Sequence, residues 1–134
     1  MTDYGHWTLP NGITEIPSNT IGFVYIITTN TGKKYVGKKL LEFKKSRPPL
    51  KGNKNKRRYK VPSDWKDYTG SSPILNEYIE KNGKTNFKFE IISFHPSKMT
   101  LSYYETKEII DRNAIFDKTY YNEVLNCRFR NKKS

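Results

Sequence analysis

Phosphate is the partner that the densest charge in this chain would attract. Residues 33 to 60 hold 13 Lys or Arg and one acid, Glu42, a net of +12, whereas the remaining residues hold 12 of each sign. Such a block repels itself unless something negative binds it, and a nucleic-acid backbone supplies that charge. A solvated surface segment is the plainer alternative. Beside the block stand Tyr25 and Tyr35, followed by Gly37 and Lys39. Their phenols either fill a sheet or meet a ligand. Much further on, Glu105 places a carboxylate among apolar residues, where a carboxylate needs a reason.

These groups depend on elements that bring them together. Phe23–Thr29 alternates and is β-branched and aromatic, so it predicts a strand. Asn30-Thr31-Gly32 predicts a three-residue hairpin loop with Gly32 in the left-handed region. Lys33–Leu40 is then the return strand. In that register Tyr25 faces Gly37 and Ile27 faces Tyr35. Alternation puts Phe23, Tyr25, Ile27, Tyr35, Gly37 and Lys39 on one face, and Val24, Ile26, Val36 and Lys38 on the other. Gly37 leaves space beside the Tyr25 ring, as a bulge or a close approach would require.

A helix from about Thr100 to Asn113 puts Leu101, Glu105 and Ile109 in one line. Glu108 lies four residues before Arg112, the favourable order for an exposed ion pair, so Glu105 is the carboxylate without an ordinary task. A capping box, Ser102 with Glu105, is the competing explanation.

Between these elements, residues 41–62 contain two prolines, a glycine and no apolar period, and predict a long basic loop. Ser63–Tyr68 predicts a short turn capped by Ser63. Ser72 and Pro73 predict a helix start, with Leu75, Tyr78 and Ile79 on its apolar face and Gly83 at its end. Phe87–Phe94 is a third strand, stopped by Pro96, and 119–129 is extended or irregular. The chain is therefore expected to be one small α+β domain. A three-stranded antiparallel sheet is flanked by helices, and the basic loop follows the first hairpin. An irregular N-terminal arm (1–20) precedes the domain (21–130), and a basic tail (131–134) follows it.

The 134 residues suit one modest core, rich in aromatics with 10 Tyr, 7 Phe and 2 Trp. No apolar run approaches the roughly 20 residues of a membrane span. The first residues show no basic region followed by an apolar one, so no secretory leader is expected. A single cysteine, Cys127, allows no internal disulfide, and two histidines with one cysteine make no ordinary zinc site. A cytoplasmic protein fits these features.

Gly22-Phe23-Val24-Tyr25 with Tyr35-Val36-Gly37 resembles the paired signature of the GIY-YIG nuclease superfamily. The order that follows is similar too: a basic stretch, a helix, a strand, a helix carrying an acid, then an asparagine. Residues 63–72 (SDWKDYTGSS) and 103–111 (YYETKEIID) resemble phage-encoded Seg-like, homing-type endonucleases. The likeness covers 22 to about 126. It implies Tyr25 and Tyr35 as the signature tyrosines and Glu105 as ligand of Mg²⁺ or Mn²⁺. It also implies Asn122 as the late asparagine, with Asn126 the lesser choice. The family's arginine has no clear counterpart. Its usual distance falls on Lys45, and Arg47, Arg57 and Arg58 are candidates, with Arg58 preferred and Lys39 a second positive charge.

The resemblance implies metal-dependent hydrolysis of DNA phosphodiesters, giving a 3′-hydroxyl and a 5′-phosphate. Tyr25 and Tyr35 would activate or orient water. Double-stranded DNA is the expected partner, held by Lys38, Lys44, Lys45, Arg47, Lys54, Lys56, Arg57 and Lys60. A homodimer or a partner protein would supply specificity, and a phage-encoded enzyme would work in the host bacterial cytoplasm. An inactive DNA binder on the same scaffold and a small basic RNA-binding protein are the alternatives.

Overall fold

The computed structural model describes residues 4–52, 54 and 57–122, with backbone alone at 43–47, 57, 58 and 60. The elements are β1 (Trp7–Thr8), β2 (Gly22–Thr28), β3 (Lys34–Leu40), β4 (Glu42–Arg47), β5 (Arg57–Pro62), α1 (Pro73–Asn82), β6 (Lys88–His95) and α2 (Lys98–Asp111), with 3-10 turns at Trp65–Asp67 and Lys84–Asn86. The main sheet has the order β1-β6-β2-β3.

The central hairpin has the expected register, with Tyr25 opposite Gly37 and Ile27 opposite Tyr35. Gly32 sits at φ 89° and donates its backbone N–H to Thr29 O. That positive φ is why a glycine ends this turn. Both faces of the sheet are covered. Phe23, Tyr25 and Ile27 pack with Trp7, Leu75, Ile79 and Phe89 on one side. Val24, Ile26 and Val36 pack with Leu101 and Ile109 of α2 on the other. Fully burying each of the large side chains stabilises the fold by roughly 1.5–3 kcal/mol.

Helix α1 has its expected signals. The Ser72 side chain accepts from Leu75 N, Pro73 is the first residue, and Gly83 ends the helix. Helix α2 starts earlier than expected, with Ser97 as its cap. Glu105 therefore lies in mid-helix, and the capping-box explanation is removed.

Four expectations are corrected. The main sheet is four-stranded and mixed, because Trp7–Thr8 pairs in parallel with Phe89–Glu90. The N-terminal arm thus contributes a strand and, in Trp7, a core residue that is 5% exposed. The supposed basic loop is a hairpin, β4 and β5, paired from Glu42↔Pro62 to Arg47↔Arg57 in a sheet of its own. Backbone pairing overrides the poor strand propensity of its lysines. Ser63 is not a helix cap: Asp64 precedes the 3-10 turn, while the Ser63 hydroxyl donates to Leu40 O at 2.5 Å. Asn126 and the 131–134 tail lie outside the described residues.

Candidate active site

Tyr25 is 1% exposed, yet its hydroxyl reaches the edge strand β3. A Cβ at Gly37 would collide with the Tyr25 hydroxyl and Cζ. Gly70, at φ 90°, leaves room for the same hydroxyl and for the Tyr35 ring. Two glycines therefore frame a slot that only bare backbone permits. The β2–β6 register shifts between Val24 and Tyr25. Such a bulge re-aims the side chain beside it. Tyr35 stands beside Tyr25, with ring centres 6.3 Å apart, and its hydroxyl is 2.9 Å from Ser71 Oγ.

Tyr25, Tyr35, Lys38, Tyr68, Glu105 and Asn122 line one cleft of about 540 Å³. The hairpin and α2 thus bring together the tyrosines and the carboxylate that the sequence singled out. A similar hollow of about 560 Å³ lies between the N-terminal arm and residues 62–67. Glu15, Asp64 and Asp67 line it, a poor place for a phosphate.

The electrostatics separate the groups. Burial pushes the Tyr25 phenol well above its usual pKa, and Tyr35, Tyr68 and Glu105 push the same way. Burial likewise raises the Glu105 carboxyl, against the opposing pull of Lys38. Lys38 donates to Ser102 Oγ at 2.6 Å, one turn before Glu105 on α2. Lys39 is placed elsewhere: its Nζ is 2.7 Å from Asp64 Oδ1 and 4.0 Å from the centre of the Tyr68 ring.

Asn122 is buried and both ends of its amide are engaged. Its Oδ1 accepts from Val36 N at 3.0 Å and its Nδ2 donates to Val36 O at 2.8 Å. It lines the cleft while serving as a short piece of strand along β3. Glu108 takes its expected partner, Arg112, at 2.9 Å.

Sequence reasoning missed Tyr68 and Ser71. Tyr68 is half-buried, and burial is the first cause of its raised pKa, with Tyr35 next. The signal was the glycine in Tyr68-Thr69-Gly70-Ser71, which does more than lead into α1. The side chains of Lys44, Lys45, Arg47, Arg57, Arg58 and Lys60, and all of Lys56, lie outside the described residues. Lys54 is exposed.

The donor set suits one kind of ion. Among the described residues no group of three or more His, Cys, Asp or Glu could hold a metal. A lone, desolvated carboxylate in a roomy cleft fits Mg²⁺, which keeps most of its waters, and does not fit an all-protein cage.

A hairpin with a tyrosine on each arm, backed by a helix that turns one carboxylate into the same cleft, is the architecture of a GIY-YIG endonuclease domain. The family model described as "Putative endonuclease segE, GIY-YIG domain" matches residues 7–125. The chain belongs to this family and is a GIY-YIG-type endonuclease, a phosphodiester hydrolase. No curated protein and no solved structure matches it. No helix among the described residues is long and apolar enough to cross a membrane.

Proposed function

We propose that the protein is a Mg²⁺- or Mn²⁺-dependent endonuclease of duplex DNA, Seg-like and phage-encoded, that cuts at the cleft between β3 and α2. The convergence of Tyr25, Tyr35 and Glu105 on that cleft carries the reading. Glu105 would hold the divalent ion, and the ion when bound would supply positive charge to the phosphate and to the leaving oxygen. Tyr25 is a neutral phenol at neutral pH, since its pKa is raised. It orients the attacking water, whose proton passes to solvent in the open cleft. Tyr35, fixed by Ser71, positions a phosphoryl oxygen. Lys38 lines the cleft and offsets charge on the phosphoryl oxygens. Lys39, paired with Asp64, and Arg58, on β5, serve the binding of DNA rather than the chemical step. The bond broken is P–O3′, leaving a 3′-hydroxyl and a 5′-phosphate.

Asn122 positions rather than reacts, because Val36 uses both ends of its amide. A homodimer or a partner protein would be needed to cut both strands together, since one cleft cuts one strand at a time.

The test is cleavage of supercoiled plasmid by the parent, Tyr25→Phe and Glu105→Ala, with and without Mg²⁺, with ends mapped. The parent should nick only with the metal. Each variant should be slower by about 100-fold or more while still binding DNA. If both variants cut as the parent does, the assignment is wrong.

A further inference from the structure

The β4–β5 hairpin puts like charges directly opposite one another. Lys44 pairs with Lys60, and Arg47 with Arg57. Cross-strand pairs of like charge destabilise a ribbon, and among the described residues no third strand joins this one. The register also divides the cations evenly. Positions 45, 47 and 57 share one face with Tyr59, and positions 44, 58 and 60 share the other with Ser46. A ribbon that lay flat on a polyanion would need cations on one face alone. A ribbon with three on each face suits a place with phosphate on both sides.

The base of the ribbon is held firmly. Leu41 N donates to Ile21 O, Ser63 N donates to Leu41 O, and the Ser63 hydroxyl donates to Leu40 O. The ribbon therefore continues from β3, the strand whose middle lines the cleft.

We propose that the β4–β5 ribbon enters the major groove of duplex DNA, with its two faces turned to the two flanking phosphate chains. This rests on the reading of the protein as a DNA endonuclease. Dimensions select the groove. Sheets pack at about 10 Å, which is the thickness of a ribbon with its side chains. The major groove is about 12 Å wide and the minor groove about 6 Å. Six residues per strand give a reach of roughly 20 Å. The scissile phosphate is thus within about one helical turn, some 34 Å, of the groove that the ribbon occupies.

The experiment uses the full chain and duplex DNA in chelator, so that nothing is cut. Guanine methylation at N7 blocks the major groove, and adenine methylation at N3 blocks the minor. Interference should appear at N7 within one turn of the cut mapped with Mg²⁺. Interference at N3 alone, or none, overturns the proposal and needs no variant that must fold. In parallel, Lys45→Gln/Arg47→Gln/Arg57→Gln and Lys44→Gln/Arg58→Gln/Lys60→Gln should each reduce the salt slope of binding by about 3. A change confined to one face shows a ribbon lying flat and also overturns it. A protein that cuts but shows no N7 interference loses only this proposal. One that shows N7 interference but never cuts loses only the nuclease reading.

Discussion

Ionising Glu105 is harder in the folded protein than in the unfolded chain, because burial raises its carboxyl pKa. The folded state therefore binds the proton more tightly. Stability that is present below the ordinary carboxylate pKa, about 4.3, is lost as pH rises from there through the raised value. Glu105→Gln should melt higher than the parent at pH 7 and alike at about pH 3, below that reference pKa. Mg²⁺ should raise the parent's Tm and leave the variant's unmoved. A thermal melt series in pH and Mg²⁺ checks both, and equal Mg²⁺ responses would remove Glu105 as the ligand.

Gly37 makes a sharper demand. Gly37→Ala places a methyl group against the Tyr25 hydroxyl, at a cost of about 1–3 kcal/mol for overpacking, and should abolish cleavage. Gly32→Ala is the control. It meets strain at positive φ but open space, so it should lose stability and keep its cleavage rate. Urea unfolding and plasmid cleavage read the two effects separately.

At the scale of elements, the segment 119–122 completes the outer edge of β3. Lys34 N donates to Thr119 O, Tyr121 N donates to Lys34 O, and Asn122 engages Val36 on both sides. Asn122→Ala would leave a buried N–H and a buried C=O unpaired, at about 1–3 kcal/mol each. Denaturant unfolding should show that loss, with cleavage falling only as far as the fold does once Mg²⁺ and DNA saturate. A large loss of kcat in a fully folded variant would make Asn122 catalytic after all.

The elements differ in how much the sequence showed. Asn30-Thr31-Gly32 set the hairpin register, and from it came the facing of Tyr25 by Gly37. Ser72, Pro73 and Gly83 bounded α1, because each signal is local. Trp7–Thr8 escaped notice because two residues have no period. The β4–β5 ribbon escaped because Pro48, Pro49 and a run of lysines read as loop, while its order comes from pairing across the chain. Glu105 was legible from helix spacing. Tyr68 was not, since it reaches the cleft only through the turn at Gly70.

For the whole molecule, the positive charge and the cleft are separate features. The net charge of +12 lies within residues 33–60, whereas Lys38 is the cation among the described residues lining the cleft. Added salt should therefore weaken DNA binding steeply and alter the chemical step little. Between about 50 and 200 mM salt, KM should climb by orders of magnitude while kcat stays within a few-fold. A parallel fall in kcat would put the ribbon's charge into the chemistry. Steady-state nicking of a labelled duplex at several salt concentrations decides it.

The clamp of Asn122 on Val36 joins positions 86 apart in the chain. The β2–β3 hairpin closes through a three-residue turn and has no such distance to travel. Loop closure grows costlier with length, and contacts of long separation form slowly. The cleft should thus be the last region to mature during refolding, long after its tyrosines have found each other. In pulse-labelled hydrogen exchange, the Val36 amide should gain protection later than the amides of Tyr35 and Gly37, which face Ile27 and Tyr25 across the hairpin. Until then the protein has its sheet and no working scissors.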